Sequence, residues 1–453
     1  MSETDANKDL KRENFGKEFM WGISASAPQT EGAWDEDGKG PSIWDNFSMK
    51  RKKILSNHSP KVACDFYHRY AEDISIIESL CIPNFRYSIS WSRVLPEGTG
   101  RINEKGIDYY KRVFEECIRK NIEPWITLYH WDLPQALQNK GGWSNREIIH
   151  WFEEYVSVCS RAFKGYIKHW MVLNEPCVYT GAGYFLGVHA PGETGLNNFF
   201  SSVHHSVLCQ AIGVNMVKNE IPHANVGTTF SCSLITPNSD SLKDKEAANR
   251  VDVLLNRLFI EPSLGIGYPI KDFPLLKKIE KYFRPGDETL MKTNFDFVGL
   301  QCYTREVVRY SWLNLHIRAK LIPAKNRKVY HTVMGWEVYP DAIYEMIKKF
   351  SAYEGIKKII ITENGAAFHD KPKNNHVQDK GRINFLSNYL KQVYRAKKDG
   401  YKVHGYFPWA LTDNFEWAEG YSPRFGLVYI DFETQKRIIK ESGHWYRNFL
   451  SAS

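Results

Sequence analysis

Short apolar runs rich in β-branched and aromatic residues recur along the chain, and between them lie stretches whose apolar positions return every three to four residues. The runs are FMWGISAS from Phe19, PNFRYSIS from Pro83, PWITLYH from Pro124, WMVLNE from Trp170, NVGTTFS from Asn225, FDFVGLQCY from Phe295, KIIITENG from Lys358 and VHGYFPWAL from Val403. Runs of this length and composition predict strands buried on both faces. The helical period is clearest over residues 65–80, 145–163 and 381–398, and the stretch ending in HWYRNFL supplies an eighth helix after the eighth strand. Eight strands alternating with helices place the chain in the α/β class, as a single (β/α)8 barrel of the TIM type and not an open doubly wound sheet.

Such a barrel needs about 250 residues, and the chain has 453. The surplus is expected in long loops after the strands' C-terminal ends, around the active-site mouth. Residues 305–328, with seven Lys/Arg against one Glu, form one such excursion and read as a solvated loop. No repeat or low-complexity linker divides the chain, so residues 1–14 are expected to be a flexible tail and 15–453 a single catalytic barrel.

Composition narrows the function. The formal charge of +8 is small for this length and the cations are scattered, which disfavours nucleic acid as a partner. Fourteen Trp, 25 Tyr and 25 Phe exceed ordinary packing needs and suit ligands with flat apolar faces and polar edges, sugars among them. The eight cysteines are widely spaced, with no CxxC pair and no zinc-like Cys/His cluster, so they read as reduced thiols. No metal or cofactor is expected. The N-terminal MSETDANKDLKREN lacks the apolar stretch of a signal peptide, and no later run has the roughly 18 apolar residues of a membrane span. The expectation is a cytoplasmic protein without a membrane partner.

In a barrel, polar residues at strand C-terminal ends meet in one cavity. Those candidates are Gln29 and Glu31 after strand one, Arg86 in strand two, His130 and Trp131 after three, and Asn174 and Glu175 after four. Tyr303 follows strand six, Glu363 and Asn364 strand seven, and Trp409, Glu416 and Trp417 strand eight. Two apolar strands ending in NEP and TENG bring two carboxylates into a Trp-lined mouth. Without HExxH, GxSxG or a phosphate-cradling glycine loop, metal hydrolysis, acyl transfer and nucleotide chemistry lose support, whereas glycoside hydrolysis needs one carboxyl held protonated and one held ionised. Arg86 and Tyr303 could keep Glu363 ionised, and Glu175 has no evident cation in sequence. Glu363 is therefore assigned as nucleophile and Glu175 as acid/base.

LNEP, ITENG, FRYSISWSRVLPEG, LYHWDLPQAL and DNFEWAEGYSPRFGLVYIDF, five motifs in order from about Asn14 to the C-terminus, resemble the β-glycosidases of glycoside hydrolase family 1. The resemblance implies a (β/α)8 barrel and a retaining double displacement, with carboxyls about 5 Å apart. It implies that Gln29, His130, Asn174, Glu416 and Trp417 hold the terminal sugar's hydroxyls, with Trp409 beneath its ring and Trp336 under the leaving group. Where the family usually reads NYYT, this chain reads QCYT at residues 301–304, and Ser231 stands where Asn is frequent; altered bonding at the nucleophile and on the leaving-group side follows. The implied activity is hydrolysis of terminal non-reducing β-D-glucosyl residues, with fucosyl or galactosyl residues also accepted, from small β-glycosides or oligosaccharides. The alternatives are a 6-phospho-β-glycosidase, which a retained Glu416 opposes by charge, and a catalytically impaired sugar-binding relative.

Overall fold

The computed structural model describes residues 10–452 of the chain. Its strands run in order β1 (Met20–Trp21), β2 (Ile23–Ser24), β3 (Asn84–Ser88), β4 (Glu123–Tyr129), β5 (His169–Asn174), β6 (Asn225–Pro237), β7 (Phe297–Tyr310), a short β8 (Ala319–Leu321), β9 (Ile359–Glu363) and β10 (Val403–Tyr406). Sequential strands pair in parallel from β2 to β7, then β7 with β9 and β9 with β10. The first strand position is split: β1 pairs with β10 and β2 with β3, which closes the sheet. The split falls at Gly22, where a Cβ would come within 2.1 Å of the Phe407 ring. Any side chain there would push the seam open.

Eight helices cover the barrel: α1 (Phe66–Ser79), α2 (Glu104–Arg119), α3 (Ile148–Phe163), α4 (Leu196–Glu220), α5 (Leu242–Asp252), α6 (Asp341–Ser351), α7 (Lys380–Lys398) and α8 (Glu441–Ser451). Each follows one strand position, the arrangement of a (β/α)8 barrel. Both strand faces are thereby removed from water, which is why the strands read as continuous apolar runs and not as alternation. Inside the barrel Trp125, Met171, Phe297, Ile360 and Phe407 form an apolar plug. Trp125, Met171, Phe297 and Ile360 lie in the N-terminal halves of their strands and Phe407 just past the end of β10, while Arg86, Asn174 and Gln301 gather around Glu363 at the end of β9.

The predicted strand and helix positions recur with small shifts at their ends, and three departures have physical causes. The basic segment 305–328 is not simply a solvated loop: β7 continues to Tyr310, β8 folds back on it antiparallel, and Arg305 and Arg327 both pair with Glu337. β6 lengthens with β7, pairing Leu234–Pro237 with Arg305–Val308 beyond the barrel rim, and Ala247, Ala248 and Val251 of α5 pack on this extension. After β10 the chain also forms an antiparallel hairpin, β11 (Val428–Asp431) with β12 (Lys436–Ile439), inside a stretch expected to be loop.

Of the expected N-terminal tail, residues 1–9 lie outside the described residues. Leu10 packs against the core, Arg12–Phe15 form a short 3-10 helix, Arg12 donates to the Leu450 carbonyl at 2.8 Å and Phe15 is buried. Among the described residues no helix is long and apolar enough to cross a membrane.

Candidate active site

At the C-terminal end of the barrel a cavity of ≈ 320 Å³ opens between the strand ends. Glu175 and Glu363 both line it, 6% and 4% exposed. Glu363 is the last residue of β9. One of its oxygens accepts from Arg86 and from the Gln301 amide at 2.8 Å, and the other accepts from the Tyr303 hydroxyl at 2.6 Å. Glu175 follows β5 in a left-handed backbone conformation (φ +47°), just before Pro176 opens the short helix Pro176–Thr180. Among the described residues it has no ion-pair partner.

These surroundings separate the two carboxyls electrostatically. Burial pushes both above the usual carboxylate range. At Glu363 the charge of Arg86 and the hydrogen bonds from Tyr303 and Arg86 oppose that rise. At Glu175 the charge of Glu363 adds to it, with only Ser231 and the more remote Arg86 set against it. Glu175 is therefore pushed further toward its protonated form than Glu363.

Asn174, one residue before Glu175, is fully buried. Its Oδ1 accepts from Arg86, from Gln301 at 2.8 Å and from Thr229 at 2.9 Å, which fixes the amide with Nδ2 toward His130 Nε2 at 3.2 Å. Burial, with Arg86 nearby, pushes the His130 imidazolium well below its usual pKa, so the ring is neutral. Trp131, held at φ +75°, donates from Nε1 to the Asn174 carbonyl at 2.8 Å.

The remaining side comes from the strands' first and last loops. Gln29 donates to the Phe415 carbonyl at 3.0 Å and to Glu416 Oε2 at 3.5 Å, tying the two together. Burial and the charge of Glu363 push Glu416 up to about 8, with Trp409 opposing. Trp409 lies nearly parallel to His130, and its position depends on Gly365, where a Cβ would come 2.0 Å from the Trp409 carbonyl. Trp417 packs at a tilt against Trp131 and against Trp44, whose helix (Ile43–Met49) is started by a reciprocal Ser42–Asp45 capping box. Trp336 leans against Tyr303 at 5.2 Å between ring centres.

Ten of the eleven expected catalytic and substrate-binding residues line the cavity, and Asn174 lies directly beneath it; Arg86 is likewise beneath, not on, the surface. Two of the strand-end polar residues are elsewhere. Glu31 pairs with Arg93 at 2.9 Å and accepts from Tyr110 at 2.7 Å, a buried cluster apart from the cavity. Asn364 bridges the Cys302 carbonyl and the Tyr406 hydroxyl, both at 2.6 Å, and braces two strand ends. Both are satisfied by the fold, as most buried polar groups are.

Gln301 has a larger part than its departure from the family pattern indicated, since its one amide nitrogen contacts Glu363, Asn174 and Thr229. Glu306, Glu419, His189 and Leu255 also line the cavity, and nothing in their sequence context marks them. With them the lining contains five glutamates and, among the described residues, no lysine or arginine.

A barrel carrying two buried carboxyls in unlike electrostatic surroundings within an aromatic, glutamate-lined mouth has the architecture of a glycoside hydrolase. The Glycosyl hydrolase family 1 model matches residues 11–453, and the chain belongs to that family. It is 41% identical to a 1,4-beta-D-glucan glucohydrolase of Thermotoga neapolitana, over 96% of this chain and 98% of that protein. It is 40% identical to Beta-glucosidase A of Acetivibrio thermocellus, over 97% and 99%. Among solved structures it superposes with a TM-score of 0.94 on the AHE enzyme from Alicyclobacillus herbarius (37% identity, 98% of each chain). It superposes at 0.91 on the beta-glucosidase of Thermotoga maritima in complex with glucoimidazole (40% identity, 96% and 98%).

Proposed function

We propose that this protein is a retaining β-glucosidase that releases terminal non-reducing β-D-glucosyl units, and fucosyl or galactosyl units as well, through a covalent glycosyl-enzyme. Glu363 attacks the anomeric carbon while Glu175 gives its proton to the leaving oxygen; Glu175 then takes a proton from water as that water opens the intermediate. Asn174, its oxygen occupied by three donors, presents its amide N–H toward the sugar's 2-hydroxyl, where a hydrogen bond tightens as charge develops. Gln29, His130, Glu416 and Trp417 hold the remaining hydroxyls, and Trp409 covers the apolar face of the ring. Trp131 supports them, and Trp336 faces the leaving group.

The observation that carries this reading is the asymmetry of the two carboxyls in one cavity: Arg86, Gln301 and Tyr303 grip Glu363, and no cation pairs with Glu175. A 6-phosphoglycoside would bring a dianion into a cavity whose lining offers no lysine or arginine among the described residues to pair with it, so free sugars are favoured. Because Glu363 keeps its activating contacts, a catalytically impaired binder is disfavoured too. The eight cysteines are free and six of them are buried, which fits the reducing interior of a cell.

The test is to trap the intermediate with a 2-deoxy-2-fluoro-β-glucoside carrying a good leaving group. Mass spectrometry should find one fluoroglucosyl adduct, on the peptide containing Glu363. Release of the opposite anomer without any adduct would refute the double displacement.

A further inference from the structure

Glu306 lies on β7 three residues beyond Tyr303, the residue that donates to Glu363. At about 3.3 Å per residue its backbone is displaced about 10 Å along the strand, toward the open end of the cavity. Its side chain lines that cavity, as do Trp336, Leu255 and Ser233. Among the described residues its carboxyl has neither a hydrogen-bond nor an ion-pair partner. Arg327, the cation that favours its charge, is bound to Glu337 instead. Burial pushes the carboxyl up to about 7, with Arg327 opposing and Glu337 adding to the rise.

Of the five glutamates that line the cavity, Glu175, Glu363 and Glu416 have roles in the sugar reading above, Glu419 is exposed, and Glu306 is half-buried without a role. No protein donor engages this half-buried acceptor, so in the free protein only water can serve it, and hydroxyls brought by a ligand could take that place. The apolar face of Trp336 on the same side offers a surface for a second ring.

We propose that Glu306 is a specificity-determining residue for the leaving group, accepting hydrogen bonds from the hydroxyls of a second sugar unit and so favouring hydroxyl-rich leaving groups over apolar aryl ones. This deepens the β-glucosidase reading and rests on it. Charge assistance makes such bonds about twice as strong as neutral ones, and an aryl group, having no hydroxyls to donate, gains nothing from them.

The test is steady-state kinetics of Glu306→Leu and Glu306→Gln with cellobiose and with p-nitrophenyl β-D-glucoside. Glu306→Leu should lower kcat/KM for cellobiose about ten-fold or more, mainly through KM, and leave the aryl glucoside unchanged or improved. Glu306→Gln, which keeps one acceptor oxygen, should recover part of the loss. Equal losses on both substrates, or no loss on cellobiose, would overturn the proposal. The aryl substrate also reports on folding, because a misfolded variant loses both activities. Wild-type protein that turns over neither glucoside would overturn the glucosidase reading itself, a result distinct from failure of the variant comparison.

Discussion

Replacing Tyr303 with Phe tests whether Glu363 is held ionised by its neighbours. The phenol donates to one carboxylate oxygen at 2.6 Å, whereas Arg86 and Gln301 bind the other, so the variant removes a single donor and leaves the carboxylate in place. A hydrogen bond to a charged group contributes about 1.5–3 kcal/mol, and one pKa unit corresponds to about 1.36 kcal/mol. The full loss would thus be about one to two units. The freed oxygen faces the cavity, where water can replace part of the lost donation, so the expected shift is about one unit. Its sign follows from which form is favoured: the phenol stabilises the ionised carboxylate, so its removal raises the pKa of Glu363. The acid limb of kcat/KM for p-nitrophenyl β-D-glucoside should move up by about one pH unit, and the alkaline limb, governed by Glu175, should move less. Both limbs belong to the coupled pair, and the shift is read as a difference between variant and wild type. An acid limb within a few tenths of a unit of wild type would refute the argument.

Three further outcomes are expected. Glu175→Gln should lower kcat about 10²–10⁴-fold for glucosides with poor leaving groups and far less for the first step with a dinitrophenolate, which needs no proton; equal losses on both would remove Glu175 as the acid. Lys440→Met leaves Asp370 and Asp413, to which Lys440 now donates, short of a buried cation, and should cost about 3–5 kcal/mol in urea unfolding; a loss under about 1 kcal/mol would show that Arg382 and Arg424 suffice. Burial works to raise Asp287, but Arg146, His204 and the Arg284 N–H outweigh it and hold its carboxyl at about 2. Its folded pKa is depressed, so the stabilisation of about 2 kcal/mol is present above pH about 4 and is lost as pH falls toward about 2; Asp287→Asn should flatten that part of an acid-stability profile, and an unchanged slope would count against it.

The barrel was legible because strands covered on both faces need apolar residues at every position, and eight such runs separated by helical periods admit few alternatives. The two carboxyls were legible because an apolar strand ending in a glutamate has no packing reason to do so. Direction and partner choice were not. Glu31 and Asn364 occupy strand ends as Glu175 and Glu363 do, yet Arg93 with Tyr110, and Tyr406 with the Cys302 carbonyl, satisfy them inside the fold. Those partners come from other strands and helices, and no local pattern encodes them. The extension of β6 and β7 past the rim was hidden because basic residues there serve as strand edge and ion-pair partners, a composition shared with solvated loops. Glu306 was hidden for the same reason.

The tripeptide Asn174-Glu175-Pro176 shows how one backbone turn keeps two adjacent polar side chains in different electrostatic surroundings. The Glu175 N–H still bonds to the Thr229 carbonyl, so the sheet holds the chain up to that point. Glu175 itself adopts φ +47°, and Pro176, which has no N–H to satisfy, begins the next helical turn. Asn174 therefore points inward to Arg86 and Gln301, while Glu175 turns into the cavity beyond direct reach of the guanidinium. Arg86 divides its donors between Glu363 and Asn174 and makes no ion pair with Glu175. Were Asn174 a carboxylate, it would compete with Glu363 for that guanidinium and weaken the preference for an ionised nucleophile. A neutral amide beside a glutamate thus satisfies Arg86 without adding charge, and the electrostatic difference between Glu175 and Glu363 depends on that neutrality as much as on either glutamate.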